Sequence, residues 1–288
     1  MVTLTNEYIS AAISPKGAEL QSLKSVLTGI EYMWSGDAAY WGKHSPILFP
    51  IVGSLKEDTY YFDGKAYHLP RHGFAREKEF SAEKISESEA VFTLQQSDET
   101  LAVYPFDFVL KLKYKLNGPQ LTCTYEVTNT AEKELFFSVG GHPAFAVPMV
   151  SGSVYTDYYL QFSEPETLNR WKLNNGLVEN HSEVVASGKG KLPLHPSLFY
   201  EDAIVLKHLQ SSHITLASNV HAHGIHFTFN DFPFYGIWAA KDAPFLCLEP
   251  WCGIADSVDS NRQLIDKEGI VKLGGNASWE RTWGVEIF

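Results

Sequence analysis

The stretch Phe108-Val-Leu-Lys-Leu-Lys-Tyr-Lys-Leu-Asn-Gly-Pro-Gln-Leu-Thr-Cys-Thr-Tyr-Glu-Val-Thr128 decides the fold class. Apolar side chains alternate with lysines in its first half and with threonines and a glutamate in its second half. A period of two is typical of strands that bury one face and expose the other to water. Asn117, Gly118 and Pro119 separate the halves, so the sequence predicts an antiparallel hairpin.

Similar short strand patterns recur along the whole chain. Residues 59–69 form a second predicted hairpin, with Asp63-Gly64 as its type I′ turn. Further strands are expected at 8–13, 19–25, 90–95, 134–139, 158–162, 203–206, 213–217, 225–229, 235–239, 245–248 and 279–287. Helical turns are expected only at 97–103 and 261–267. We therefore expect one all-β domain over residues 1–288, built as a large antiparallel β-sandwich of two stacked sheets.

Composition and charge narrow the range of partners and cellular compartments that fit this protein. The 288 residues carry 23 Lys and Arg against 34 Asp and Glu, a net charge of −11. That charge argues against a nucleic-acid or anionic-membrane partner, although a local arginine can still bind a phosphorylated substrate. The three cysteines form no Cys-x-x-Cys pair, so we expect buried free thiols in a reducing compartment. No leader pattern and no apolar run of about 18 residues is present, and a cytoplasmic location is expected.

Two residues have the character of a proton-transfer pair. His142 follows Gly140-Gly141 and precedes Pro143, so its backbone is constrained and the imidazole is a positioned proton carrier or a structural strand-end histidine. Glu249 interrupts the apolar run 244–251, and a carboxylate there is either ion-paired or functional because unpaired burial is costly. Pro250 predicts that the strand ends at Glu249.

A second group of polar residues follows the predicted 59–69 hairpin. His72 and Arg76 lie in Arg71-His-Gly-Phe-Ala-Arg76, which is predicted to be a loop. Arg76 can bind a pair of hydroxyls or a phosphate in bidentate fashion. Histidines and a carboxylate are the groups that proton transfer on a neutral polar substrate needs.

The cluster His221-Ala-His223-Gly-Ile-His226 resembles a metal site at first sight. On a strand, His221 and His223 would share one face and His226 the other, so three ligands would not converge. We therefore predict no metal there and expect surface, structural or peripheral substrate roles. Nucleotide-binding and serine-hydrolase motifs are also missing.

Several strings together resemble the aldose 1-epimerase (galactose mutarotase-like) family, and within it the LacX-like branch. They are Lys16-Gly-Ala-Glu-Leu20, Ser45-Pro-Ile-Leu-Phe-Pro-Ile-Val-Gly53, His72-Gly-Phe-Ala-Arg76, Tyr104-Pro-Phe-Asp-Phe108, Gly140-Gly-His-Pro-Ala-Phe145 and Leu248-Glu-Pro-Trp251. Their order spans nearly the whole chain. Lys43 is a departure, because many relatives carry an arginine near that position.

The resemblance implies a β-sandwich of the supersandwich type and a cytoplasmic isomerase of carbohydrate metabolism that interconverts the α and β anomers of a hexose or hexose phosphate. It implies that Glu249 is the general base and His142 the general acid. His72, Arg76 and Asp202 would bind the sugar, with Glu201 as the alternative to Asp202. No cofactor is expected, because no electrons move in the reaction.

One rival hypothesis is a non-catalytic carbohydrate-binding protein on the same fold. Such a protein would keep His72 and Arg76 but would not need both His142 and Glu249. Arg76 is the only arginine that the resemblance assigns to the site, which favours a neutral sugar over a phosphorylated one. The sequence leaves the identity of the sugar and the oligomeric state open.

Overall fold

A computed structural model describes residues 1–288, and its regular structure is almost entirely strand. The strands are β1 (Val2–Thr5), β2 (Ile9–Ser14), β3 (Glu19–Ser25), β4 (Ile47–Leu48), β5 (Thr59–Phe62), β6 (Lys65–His68), β7 (Ser81–Ser86), β8 (Glu89–Gln95), β9 (Phe108–Asn117), β10 (Gln120–Asn129), β11 (Leu135–Phe137), β12 (Val139–Gly141), β13 (Ala144–Ala146), β14 (Tyr158–Phe162), β15 (Leu168–Asn174), β16 (Leu177–Ala186), β17 (Lys191–Pro193), β18 (Ile204–Lys207), β19 (His213–Ser218), β20 (Ile225–Thr228), β21 (Phe234–Trp238), β22 (Phe245–Cys252), β23 (Val271–Leu273) and β24 (Ser278–Ile287). One α-helix, α1 (Asp98–Val103), and five 3₁₀ turns complete the regular structure; the turns are Lys56–Asp58, Ala75–Glu77, Tyr155–Asp157, Pro196–Phe199 and Leu264–Asp266.

Two large antiparallel sheets organise these strands. The first has nine strands in the order β17-β14-β19-β20-β24-β10-β9-β8-β7. The second has eight, in the order β16-β15-β18-β21-β22-β12-β4, with β13 also paired to β22. Aromatic side chains of the two sheets meet in the core: Phe227 of β20 lies 5.9 Å from Phe145 of β13, between ring centroids. The predicted all-β sandwich is thus confirmed.

The stretch that decided the fold class forms two interior strands of the nine-stranded sheet, between β24 and β8. β9 and β10 pair antiparallel, and their buried residues alternate strictly with more exposed ones. On the solvent-exposed face of the sheet Lys113 forms an ion pair with Glu126, with Nζ and Oε2 2.6 Å apart. The type I′ turn at Asp63-Gly64 is also present, because both residues have positive φ. The turn at 97–103 is the helix α1, capped by the side chain of Ser97.

Two expectations about strand limits were wrong, and one hairpin was missed. The segment 134–139 is two strands, because β11 pairs with β23 while β12 joins the eight-stranded sheet. β22 continues through Pro250 to Cys252. The hairpin β15–β16 was missed, since its strands contain register shifts and are largely exposed. Its turn, Asn175-Gly176, has positive φ at both residues and is the signal that could have revealed it.

The eight-stranded sheet buries residues on both faces. Alternation sends Tyr235 and Ile237 of β21 to the sandwich core, and Phe234 and Trp238 to the opposite face. On that opposite face a second, smaller apolar cluster forms: Leu48, Val52, Val178, Ala203, Val205, Phe234, Trp251, Ile254 and Ala255. The cavity described next opens on this face. No helix of the protein is both long and apolar enough to cross a membrane.

Candidate active site

His142 and Glu249 face each other across one antiparallel ladder. β12 pairs Gly140 with Trp251, and β13 pairs Ala144 with Cys247. The same register places His142, between these two strands, opposite Glu249. The ladder has no paired residues between Gly140 and Ala144, and Pro250 of β22 lies opposite this gap, a position that tolerates a residue without an N–H. Facing positions on adjacent strands bring their side chains within contact distance.

The glycines around the pair make room for protein side chains. A Cβ atom on Gly140 would lie 2.6 Å from the Trp251 ring, and one on Gly236 of β21 would lie 2.4 Å from it. The indole of Trp251 therefore lies flat over two neighbouring strands, and only glycine permits this approach. A Cβ on Gly141 would meet the Tyr125 hydroxyl at 2.6 Å. The lack of a side chain at these glycines thus serves close approach to aromatic side chains of the protein.

The pair is buried and close. His142 Nε2 lies 3.3 Å from Glu249 Oε2, with side-chain exposures of 11% and 2%. The indole of Trp41 stacks on the His142 ring with centroids 4.9 Å apart. His142 Nδ1 is buried without a hydrogen-bond partner. The indole Nε1 of Trp251 faces the Glu249 carboxyl but falls short of hydrogen-bond geometry.

Burial sets the proton affinities of both groups. It lowers the pKa of His142 to about 3, and the nearby Arg71 and Arg76 guanidiniums act in the same direction. It raises the pKa of Glu249 well above its ordinary value, and the Arg71 charge opposes this rise only in part. The ordinary values suggested a carboxylate beside an imidazolium. Burial instead favours a pair that shares a single proton without separated charges.

A cavity of about 490 Å³ opens above the pair. This volume suits a small-molecule ligand. Its walls are Trp41, Gly53, Arg71, His72, Arg76, His142, Leu173, Gly176, Val178, Asp202, Ala203, Val205, Trp238, Glu249, Trp251, Ile254 and Ala255. All five residues that the sequence nominated for the site therefore line one cavity, although they come from separate segments of the chain.

His72 has an unusual backbone conformation, and an N–H group faces each of its ring nitrogens. Its φ of 69° is in the left-handed region, which is rare for a residue with a side chain. Gly53 N lies 3.0 Å from Nδ1, and Arg71 Nε lies 3.2 Å from Nε2. A neutral imidazole accepts at only one nitrogen, and burial lowers the pKa of His72, so the ring is neutral. Because the backbone amide of Gly53 donates to Nδ1, Nε2 carries the ring proton and cannot also accept from Arg71 Nε.

Arg76 and Arg71 bring two guanidinium groups to the cavity. Arg76 donates from Nη2 to the Arg71 carbonyl oxygen at 3.0 Å, and its Nε is buried without a partner. Burial lowers the pKa of Arg76. Lys43, by contrast, is bound to Glu77, with Nζ and Oε1 2.7 Å apart, and does not line the cavity.

Of the two acidic neighbours, Asp202 faces the cavity and Glu201 does not. Asp202 has a φ of 91°, its Oδ1 accepts from Ala203 N at 2.7 Å, and its carbonyl oxygen accepts from Arg170 Nη2 at 3.0 Å. Glu201 is exposed and lies 3.7 Å from Lys172 Nζ. The turned backbone at Asp202 directs one carboxylate inward and leaves the other in solvent.

The 221–226 histidines have other partners. His221 and His223 lie in a turn before β20, so the expected strand geometry holds only for His226. His221 Nε2 is 2.8 Å from the Tyr158 hydroxyl. His226 Nδ1 is 2.8 Å from Thr215 Oγ1, and its ring stacks on Phe288. None of the three lines the cavity.

Sequence reasoning missed some of the cavity walls. Arg71 stands in the same string as His72 but carried no role of its own there. Trp41 and Trp238 counted only as general aromatics, since the loop and strand that aim them at His142 are far apart in sequence. No local motif marks Leu173 and Val178, which belong to the missed hairpin.

The fold and the cavity define a class: a β-sandwich protein with an acid–base pair at the floor of a sugar-sized site. The description "Aldose 1-epimerase" is that of the family model that matches residues 1–263. The chromosomal LacX protein of Lactococcus lactis subsp. lactis is 36% identical over 285 residues, with 94% of each chain covered. The chain therefore belongs to the aldose 1-epimerase family.

Comparison with solved structures supports the same family and the same fold. A galactose mutarotase related enzyme from Lactobacillus acidophilus superposes with a TM-score of 0.95 at 33% identity, covering 100% of this chain and 97% of that one. A galactose mutarotase-like protein from Lactobacillus casei gives 0.92 at 34% identity, with 100% of both chains covered. The resemblance seen in the sequence motifs is thus confirmed for the family and the fold.

Proposed function

We propose that this protein is an aldose 1-epimerase that interconverts the α and β anomers of a hexose or hexose phosphate. The observation that carries the proposal is the buried His142–Glu249 pair, 3.3 Å apart, at the floor of a cavity lined by polar groups and indoles. Membership of the family supports it. A protein that only bound sugar would have no use for two buried groups that exchange a proton.

The chemistry needs proton transfer at two oxygens of one carbon. The C1 hydroxyl loses a proton while the ring oxygen gains one, the ring opens, the aldehyde rotates about C1–C2, and the ring closes on the other face. Both oxygens are bonded to C1 and lie closer together than the 3.3 Å that separates Nε2 from Oε2. Glu249 takes the hydroxyl proton and His142 protonates the ring oxygen, so two groups at this spacing can serve both oxygens.

The position of the shared proton decides which group of the pair acts as the base and which acts as the acid. A transfer of that proton from Glu249 to His142 creates the carboxylate and the imidazolium that the reaction uses. Burial by the protein disfavours this charge separation, whereas the two sugar oxygens are hydrogen-bonding partners that stabilise it. The charged form is therefore favoured when substrate is bound, and His72, Asp202, Arg71 and Arg76 hold the remaining oxygens.

The sugar class follows from the cavity charges. The sequence favoured a neutral sugar because Arg76 stood alone, but Arg71 also lines the cavity. Two guanidinium groups against Asp202 and a Glu249 of raised pKa make the site locally positive inside an acidic protein. We therefore expect a sugar phosphate to be bound better than the free sugar.

The test is anomer exchange measured by NMR exchange spectroscopy on glucose, galactose and their 6-phosphates, with polarimetry on freshly dissolved α-sugars. We expect acceleration over the buffer rate that persists in EDTA. A protein that binds these sugars without accelerating exchange on any of them would be the carbohydrate-binding alternative.

A further inference from the structure

The thiol of Cys247 joins the acid–base pair. Cys247 and Glu249 are two residues apart on β22, so both side chains leave the same face of the strand. One ligand atom from each of His142, Cys247 and Glu249 can be chosen so that all three lie within 4.8 Å of one another, and all three residues are buried. An imidazole, a thiol and a carboxyl are the three side-chain ligands that zinc sites use.

We propose that His142, Cys247 and Glu249 form a binding site for a borderline-soft divalent cation of the Zn²⁺ class, and that the bound cation inhibits the enzyme. Tetrahedral zinc with bonds of about 2.0–2.3 Å separates its ligand atoms by about 3.3–3.8 Å. Nε2 and Oε2 already lie at 3.3 Å. A sulfur and a nitrogen or oxygen on tetrahedral zinc are about 3.5 Å apart, so each present separation of at most 4.8 Å must shorten by roughly 1.3 Å or less to close the set.

The charges balance in the complex. The Cys247 thiol and the Glu249 carboxyl each release one proton to solvent, His142 binds as the neutral imidazole, and no electrons move. Burial raises the pKa of both acids, which disfavours either anion alone. A dication with a thiolate and a carboxylate is neutral, so the complex escapes the cost of buried charge. Arg71 and Arg76 repel the free cation but not the neutral complex.

Three protein ligands leave one position open. His142 and Glu249 line the cavity, so a water or a sugar hydroxyl from the cavity would be the fourth ligand. Of the three thiols, Cys123 and Cys252 have no such set of neighbours, and Cys247 alone stands beside a histidine and a carboxylate. Cys252 also lies on β22 and is buried, which makes it the matched control.

Inhibition follows from occupancy of the pair. A metal bond at Nε2 leaves His142 without the proton that it gives to the ring oxygen, and a metal bond at the carboxylate occupies the oxygen that takes the hydroxyl proton. The inhibition rests on the proposed function, whereas the binding does not. The two are therefore measured separately.

Binding is tested by titrating the full-length protein with Co²⁺ and recording the sulfur-to-cobalt charge-transfer absorption in the near ultraviolet. We expect one equivalent to give the band, Zn²⁺ to displace it, Cys247→Ala to abolish it and Cys252→Ala to retain it. Absence of the band in the wild-type protein overturns the proposal, and this outcome needs no variant to fold. Loss of the band in Cys252→Ala with retention in Cys247→Ala also overturns it.

Inhibition is tested by adding Zn²⁺ to the anomer-exchange assay, each variant being compared with its own metal-free rate. We expect Cys247→Ala to raise the half-inhibitory Zn²⁺ concentration at least tenfold, because even groups behind metal ligands change affinity by about 10–100-fold. Zn²⁺ that leaves the rate unchanged or raises it overturns the inhibitory role. A cobalt band without anomer exchange would support the metal site and contradict the proposed function. Anomer exchange without a cobalt band would support the proposed function and contradict the metal site.

Discussion

Two buried acid–base pairs lie within this protein, and they are built differently. Lys267 Nζ and Asp256 Oδ1 are 2.7 Å apart, with side-chain exposures of 2% and 3%. The second oxygen of Asp256 accepts from Lys56 N at 3.0 Å. The His142–Glu249 pair is similarly buried but longer, and the second nitrogen of His142 has no partner. Each charged atom of the first pair thus has at least one protein partner, and in this sense we call the pair saturated; the second pair, with one nitrogen that has no partner, is unsaturated.

The difference between the two pairs points to a structural role for Lys267–Asp256 and, under the proposed function, to proton transfer for His142–Glu249. The Asp256 amide donates to the Ser54 carbonyl, and its own carbonyl accepts from Val178 N, so the Lys267–Asp256 pair ties together the segments that carry Gly53, Ala255 and Val178 in the cavity wall. The charged atoms of that pair already have protein partners, and neither residue lines the cavity that holds His142 and Glu249. The pair on the cavity floor keeps a nitrogen without a partner, and under the proposed function its proton moves to a substrate. Pairs of titratable groups in such an unsaturated state are the ones to suspect of function.

Removing the proton-transfer group should give the largest effect. Glu249→Gln keeps the shape of the side chain and loses its basicity, so we expect anomer exchange to fall about 10²–10⁴-fold. His142→Asn should behave alike. The measurement is NMR exchange on protein whose folding is checked by circular dichroism. Glu201→Gln, in the exposed neighbour of Asp202, is the control and should stay near wild type; a loss below threefold in Glu249→Gln would remove its catalytic role.

Breaking the saturated pair should cost stability instead. Lys267→Met leaves the Asp256 carboxylate buried beside an apolar side chain, which typically costs about 3–5 kcal/mol of unfolding free energy. Urea unfolding measures this loss. The double variant Lys267→Met with Asp256→Asn removes the uncompensated charge and should recover part of it. If the single variant lost activity per folded molecule while keeping its stability, the assignment of roles to the two pairs would be reversed.

The pH dependence of the unfolding free energy should reveal how much stability is lost by burying the ionised Glu249 carboxylate of the unsaturated pair. The folded pKa of Glu249 lies above its ordinary value of 4.5, so its contribution is fully present below that pH and is lost as the pH rises toward the folded pKa. Glu249→Gln does not titrate at this position. Its unfolding free energy should therefore increase relative to wild type as the pH rises above 4.5, with a slope of at most about 1.4 kcal/mol for each step of one in pH. Urea denaturation at several pH values tests this; a difference that is constant with pH would argue against a raised pKa.

The charges near the two pairs differ as well, and this difference should give the smallest effect. Arg76→Lys keeps the charge but loses the planar fork that binds a phosphate in bidentate fashion. We expect KM for a hexose 6-phosphate to rise several-fold and KM for the free hexose to change little, as measured by exchange rates over a range of concentrations. Arg71→Lys is the companion variant. Equal modest losses on both sugars would place the guanidiniums at ring hydroxyls and favour a neutral substrate.

The sequence predicted the parts of the molecule in which neighbouring residues decide the structure. The hairpin β9–β10, the Asp63-Gly64 turn and the helix α1 follow from alternation, turn residues and a capping serine. The hairpin β15–β16 was missed because its exposed, shifted strands dilute the alternation, even though Asn175-Gly176 carries a turn signal. Strand β22 was predicted to end too early, before Pro250. The gap in the pairing of β22 with β12 and β13 cannot be seen from the sequence around Pro250 alone.

For the site, motifs predicted which residues gather but not their state. The strings around His142, Glu249 and His72 supplied residues that line one cavity. Burial then moves the pKa values of His142 and Glu249 in opposite directions, which ordinary values cannot foresee. Trp41 and Cys247 are brought beside His142 by tertiary packing and strand register, so no local pattern marks them.

The most direct test of the account is the pH profile of kcat/KM for anomer exchange, because this quantity reports the groups of the free enzyme. A pair that shares one proton keeps it from the acid side, near the His142 pKa of about 3, up to the raised pKa of Glu249. The account predicts a rate that stays flat as the pH falls through about 6.5, the ordinary pKa of histidine. A rate that changes with a midpoint near that value, or no acceleration at any pH, would contradict it.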